Sequence, residues 1–231
     1  IIINKKAAMF SDSRYTLQMK KELSSKIYES FDNYNISMGE WLKSIGLKKN
    51  REYKIGFCTW NYTKKGLETL KKDIDDTRIN FVGINFNPVD KIWVDRPVFV
   101  QNPFWVLEQK YSGVLKKDKI KLVIKNLNKN DCELKFISSP SNVNWLLNIR
   151  GSDLMFSPVH LCFAIIDNKS KTTLLYDEKH IKNKSFTSIT IKELNTWIKK
   201  HSQKKILCDP TSIPIGILEI FNKNKLKVVY E

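Results

Sequence analysis

Several features are scarce in these 231 residues, and each scarcity closes off a class of function. No apolar run approaches the roughly 20 residues that a bilayer-spanning helix needs. The opening Ile1-Ile2-Ile3 is too short for a signal-peptide core, and the Asn-Lys-Lys after it does not resemble a cleavage site. A soluble, cytoplasmic protein with no membrane partner is expected. Cysteine occurs only at 58, 132, 162 and 208, with no CxxC pair and no histidine at finger-like spacing. Gly56-Phe57-Cys58 and Leu161-Cys162-Phe163 are apolar contexts, so buried free thiols of a reducing compartment are expected. Histidine occurs only at 160, 180 and 201. There is no HExxH, no Gly-rich phosphate loop, no GxSxG and no Cys–His pair with a local signature. The one tight acidic/His cluster is Asp177-Glu178-Lys179-His180, which reads as a solvated loop. Repeats, heptads and low-complexity tracts are also missing.

Arginine is scarce too. The formal net charge of +16 invites a nucleic-acid reading. Yet of 40 basic residues only Arg14, Arg51, Arg78, Arg96 and Arg150 are arginine, the side chain that reads phosphate and guanine bidentately. The lysines are spread along the chain rather than blocked, a pattern that fits an AT-biased genome. Specific nucleic-acid binding is therefore disfavoured, and weak, salt-sensitive attraction to polyanions is the reading that remains.

What is present can build cores: 42% of residues are hydrophobic and 11% aromatic. Strand-like and helix-like segments alternate, which indicates an α/β architecture. Strands are expected at Ile1–Phe10, Tyr53–Thr59 and Arg78–Ile84, with helices at Tyr15–Ile27 and Tyr62–Ile74. Ser37-Met38-Gly39-Glu40 has capping-box spacing and should open a short helix. Asn87 to Pro103 reads as extended linker. The alternation then restarts with a basic helix at Ser112–Asn128 and a strand at Cys132–Ile137. A helix capped by Ser141 should run through Trp145 to Asn148. Strands at Val159–Asp167 and Thr172–Tyr176 follow. A second capping box at Thr190-Ile191-Lys192-Glu193, a strand at Lys205–Asp209, a helix at Ile213–Phe221 and a strand at Leu226–Tyr230 close the chain. The division expected is 1–98, a linker at 99–111, and 112–231, two units of ordinary domain size.

Three segments carry a resemblance. The first is Ala7-Ala8-Met9-Phe10-Ser11-Asp12-Ser13-Arg14-Tyr15-Thr16-Leu17-Gln18. The second is Pro88-Val89-Asp90-Lys91-Ile92-Trp93-Val94-Asp95-Arg96-Pro97. The third is Trp145-Leu146-Leu147-Asn148-Ile149-Arg150-Gly151-Ser152-Asp153, followed by Ser157-Pro158-Val159 and Phe163-Ala164-Ile165-Ile166. In order and spacing they resemble the aminopeptidase P (Xaa-Pro aminopeptidase) family in its long, three-domain form. The resemblance implies two creatinase-type amino-terminal domains, each a mixed sheet flanked by helices, the first lacking its opening strand and helix. It also implies a catalytic domain beyond this chain, holding two divalent metals (manganese or zinc) on two Asp, one His and two Glu. The chain alone is thus expected to be inactive, with the catalytic domain or a second subunit as partner and short Xaa-Pro peptides as substrates only of the parent enzyme.

The resemblance further makes Asp12, Arg14, Tyr15, Arg150 and Asp153 candidates for lining a cleft or joining domains. Asp90, Trp93, Asp95 and Arg96 become candidates for anchoring the linker, with Trp93 supplying buried area. Read from the residues alone, Asp12 caps the helix near Ser13 and Arg14 pairs locally. Gly151 suits a left-handed helix cap, Asp153 can pair with Arg150 across the turn, and Trp145 reads as core. Ser13 stands where the family has glycine, which points to a strained or reshaped turn. His160 stands where the family usually has an aromatic or aliphatic side chain, and reads as a strand residue. The alternatives are a stand-alone binding module for protein or nucleic acid, and a decayed gene fragment.

Overall fold

The computed structural model describes the whole chain except residues 4–5, 48–49, 85, 100 and 177–185, so the Asp177–His180 cluster lies outside the described residues. The chain forms two compact units. One comprises residues 1–57 and 66–83, the other 58–65 and 84–231. The sequence division at 98 differs from this grouping, in which 84–98 go with the second unit.

The first unit contains β1 (Ile2–Ile3), β2 (Lys6–Ser11), α1 (Thr16–Glu22), β3 (Tyr28–Asp32), α2 (Met38–Ser44), β4 (Tyr53–Cys58), α3 (Lys64–Ile74) and β5 (Ile79–Ile84), the last residues of β4 and β5 and the first of α3 grouping with the second. The expected strand at 1–10 is two strands, paired antiparallel with Ile2 opposite Ala7. β3 joins β2 in parallel, and β4 and β5 form a separate pair. The helix expected to reach Ile27 stops at Glu22: Leu23 is extended and closes the last turn onto the Met19 carbonyl. The chain then enters β3, whose Phe31 ring stacks on Phe10 with centroids 5.4 Å apart. Ser13 does not take a positive φ; Asp12 instead caps a 3-10 turn over Ser13–Tyr15. The core gathers Ala8, Trp41, Leu42, Tyr53, Ile74 and Ile79. The capping box opens α2 as expected, with Ser37 Oγ accepting the Glu40 N–H and also donating to Asp73 Oδ1 at 2.9 Å.

The second unit adds α4 (Pro88–Ile92), β6 (Trp105–Val106), α5 (Gln109–Ser112), α6 (Lys116–Lys129), β7 (Leu134–Ile137), α7 (Pro140–Leu147) and β8 (Ile149–Arg150). Then follow β9 (Phe163–Asp167), β10 (Thr172–Leu175), β11 (Thr187–Ile189), α8 (Ile191–Lys199), β12 (Lys205–Cys208), α9 (Ile215–Lys223) and β13 (Lys227–Tyr230). The linker reading of 87–103 missed α4, although its signals were present: Asn87 accepts the Val89 N–H and Pro88 occupies the first helical turn. Likewise α7 is capped by Ser139, not Ser141, because Pro140 supplies its first turn.

A six-stranded mixed sheet runs β11-β10-β9-β7-β12-β13. Strand β9 shows why it is a three-layer structure. Ile165 joins a cluster with Leu194 and Ile198 of α8 and Ile217 and Phe221 of α9. Ala164 and Ile166 point to the other face, among Val143, Leu146 and Leu147 of α7 and Ile120 of α6. A strand buried on both faces reads as a continuous apolar run rather than an alternation. The start of α9 is finished by residues distant in sequence: Tyr62 accepts the Ile215 N–H and Thr59 the Gly216 N–H, each at 2.9 Å. Gly216 sits close against the Trp60 ring, which a Cβ would approach to 3.0 Å, so a larger residue there needs the ring to give by a few tenths of an ångström. These bonds, with Lys64 N–H to the Ile213 carbonyl, are why 58–65 group with the second unit.

Candidate functional site

Three groups of candidate residues can be located. The most elaborate surrounds Arg150-Gly151-Ser152-Asp153. Helix α7 ends on Asn148, the residue that takes the left-handed conformation (φ 53°, ψ 42°). Gly151, expected in that role, is needed for close approach instead: a Cβ would lie 2.7 Å from His160 Cβ. Asn148 uses its amide fully, donating to the Val114 carbonyl at 2.8 Å and accepting from Lys119 Nζ at 2.7 Å. Lys119 is buried (3% exposed), and its ammonium also donates to the Trp145 carbonyl and lies 4.1 Å from the Trp145 ring centroid. A cation here meets the negative end of α7. Burial holds its pKa below the usual lysine range, and Arg150 adds to that. The sequence reading passed over Lys119 as one lysine of a basic helix. Its spacing from Val123 and Leu127 put it on the apolar face, which was the available signal.

Asp153 does not pair with Arg150. Its carboxylate, fully buried, accepts the Asn102 N–H at 2.6 Å and the Leu161 N–H at 2.7 Å. Its Oδ2 also lies 2.9 Å from His160 Nδ1, near enough for an ion pair but off the line of a hydrogen bond. His160 is completely buried and outside any strand. Asn144 clamps its backbone, accepting its N–H at 3.0 Å and donating to its carbonyl at 2.8 Å. Arg150 turns the other way and donates to the Ile149 carbonyl at 2.7 Å. Trp145, expected in the core, is 59% exposed because α7 presents Val143, Leu146 and Leu147 inward. Beside this region a cavity of about 480 Å3 is lined by Gln101, Leu161, Cys162, Leu175 and Tyr176 among others. The Cys162 thiol is pushed up to about 12 by burial, then by Asp153, which removes it as a nucleophile at neutral pH.

In the first unit, Asp12 and Arg14 form the local pair expected: Nε and Nη2 donate to the two carboxylate oxygens at 3.0 and 2.7 Å. Arg14 holds the Asp12 carboxyl below its usual range and is itself raised by it. Arg14 and Tyr15 are exposed, with the guanidinium 5.7 Å from the Tyr15 ring centroid. In the second unit, Asp90, Trp93, Asp95 and Arg96 are all exposed. Arg96 pairs with Asp90 and lies 5.7 Å from the Trp93 ring centroid. Trp93 is 48% exposed, so the buried area expected of it is not made within the described residues.

No three His, Cys, Asp or Glu side chains among the described residues come together as a metal site. His201 stacks on Trp197 at 3.8 Å and its Nδ1 lies on the Trp197 carbonyl. The described residues do not supply the two-metal centre that the resemblance implies for the parent enzyme.

Residues 95–230 match the creatinase/prolidase N-terminal domain family. The chain belongs to that family. It is also similar to curated Xaa-Pro aminopeptidases: 30% identical over 77% of this chain to Xaa-Pro aminopeptidase 1 of Dictyostelium discoideum. It is 29% identical over 78% of this chain to a probable Xaa-Pro aminopeptidase P of Coprinopsis cinerea. In both cases the chain spans only 29% of the relative's length. The fold matches the crystal structure of the X-prolyl aminopeptidase of Caenorhabditis elegans, a cytosolic enzyme with a di-nuclear active site. That match has a TM-score of 0.81 at 21% identity and covers 99% of this chain and 40% of that one. No helix among the described residues is long and apolar enough to cross a membrane.

Proposed function

We propose that this chain is the non-catalytic amino-terminal portion of a cytoplasmic Xaa-Pro metalloaminopeptidase, where it limits access to the active site and supports assembly of domains or subunits. The observation that carries the reading is the lopsided coverage: most of this chain aligns, but to under a third of each curated relative. In this reading the exposed Arg14 meets the carboxylate of a short peptide, with Asp12 and Tyr15 fixing its direction. Arg150 and Asp153 shape the surface that joins the next domain, and Asp90, Trp93, Asp95 and Arg96 hold the linker. Hydrolysis itself, with two manganese or zinc ions, belongs to the parent enzyme's other domain.

The pure chain should not cleave an Xaa-Pro peptide even with manganese or zinc supplied. Clear, metal-dependent cleavage would overturn the non-catalytic reading. Sequencing the nucleotides on either side of this frame should show an adjoining region with two Asp, one His and two Glu as ligands. In the joined polypeptide, Arg14→Ala should raise KM for short peptides while leaving kcat nearly unchanged. The +16 charge supports a second reading, a stand-alone binding module. A duplex-DNA mobility shift that survives physiological salt would favour it over generic polyanion attraction.

A further inference from the structure

Residues 151–162 link β8 to β9. At the tip, Leu154, Met155 and Phe156 are 43%, 83% and 99% exposed, and Phe156 sits at φ 63°. A bulky residue in that region is strained and stays there only when its surroundings enforce it. The enforcement comes from the base of the loop, where its two limbs meet at Gly151 and His160. Asp153 ties one limb to Asn102 and to Leu161, and Asn144 grips the His160 backbone on both sides.

The His160 ring fills the middle of this knot. It packs on Phe104 with centroids 4.7 Å apart and edge-on to Tyr176 at 5.2 Å. Its Nδ1 faces Asp153, while its Nε2 is buried with no hydrogen-bond partner among the described residues. A neutral imidazole tolerates this, because Nε2 then carries only a lone pair. A protonated one does not, because Nε2–H becomes a charged donor among aromatic rings with no acceptor. Among the described residues, Asp153 is the one charged group that acts on the ring. Tyr176 meets the imidazole at an interplanar angle of 72°, and Cys162 nearby stays a thiol.

We propose that the Asp153–His160 pair is an acid-released latch: protonation of His160 opens the 151–162 loop while the six-stranded sheet remains folded. Burial lowers the His160 pKa from its ordinary 6.5, and Asp153 only partly opposes this. The opened loop returns the imidazole to water, so the open state binds the extra proton. Closure is therefore fully stable above about pH 6.5 and weakens as pH falls below it, up to ten-fold per pH unit.

Hydrogen exchange on the full chain, corrected for intrinsic rates, tests this between pH 7.5 and 5.5. The His160 and Leu161 amides should lose about ten-fold protection over that range, with those of β9 and β12 unchanged. His160→Phe, which keeps a ring against Phe104, should make loop protection independent of pH. Unchanged protection in the wild type, or the same pH dependence in the variant, overturns the proposal. If the variant does not fold, the wild-type His160 imidazole can be titrated by NMR: a pKa below 6.5 sustains the latch, and one at or above it sinks it.

Discussion

Strand β9 of the second unit packs helices against both faces and places Ala164, Ile165 and Ile166 at 1% exposure or less. Strand β2 of the first unit is covered only in its middle: Ala7 and Ala8 are buried, but Met9 is 41% exposed. The second unit has one six-stranded sheet between two layers of core, whereas the first divides its strands into a three-stranded and a two-stranded sheet around a single cluster. Each fully buried large side chain contributes roughly 1.5–3 kcal/mol. Two α/β units of one chain need not be equally self-sufficient. The second can hold a site in register by itself, and the first has less in reserve.

The comparison can be broken most directly by hydrogen exchange. Amides of β9 and β12 should be protected to near the global limit, and those of β2 and β4 should exchange through smaller openings. Better protection in the first unit would reverse the argument. Phe221→Ala, at a fully buried position against Phe136, should cost about 3–5 kcal/mol and show as loss of protection throughout the large sheet. In the first unit, Gly39→Ala drives a Cβ to 2.5 Å from the Asp73 carbonyl and should cost about 1–3 kcal/mol by chemical denaturation. The two capping boxes give a matched pair. Thr190→Ala should cost about 1 kcal/mol and Ser37→Ala somewhat more, since Ser37 also bonds Asp73. Equal losses would show that the Asp73 bond adds nothing.

The smallest effect concerns Asp76, whose carboxyl Arg78 draws down to about 2. A depressed carboxyl stabilises the fold above its ordinary range near 4, and that contribution disappears as pH falls through about 2. The unfolding midpoints of wild type and Asp76→Asn should therefore converge in strong acid and separate slightly at neutral pH.

Much of the fold was legible because it rests on local chemistry. Both capping boxes open helices as their spacing implied, and α8 buries Leu194 and Ile198 at helical spacing. The alternating elements of 112–231 correspond to the large sheet. The misreadings share a cause. Asp153 was matched to Arg150, its neighbour in sequence, when its partners are Asn102, His160 and Leu161. β3 was hidden because Leu23 and Ile27 extended a helical period that the backbone abandons after Glu22. Trp145 looked apolar enough for the core, but exposure depends on the direction α7 faces, which Leu146 and Leu147 decide. Partners brought together by tertiary folding leave no periodicity to read.

The first turn of α9 has one more consequence, for where this chain can be divided. The family match begins at residue 95, yet the acceptors for the Ile215 and Gly216 amides are Tyr62 and Thr59. A protein cut at residue 95 would keep every strand of the large sheet and still begin α9 with two donors turned toward solvent or nothing. The working boundary of the second unit is thus not a point along the sequence. It includes a short loop made well before the rest, which must wait for its helix to be synthesised.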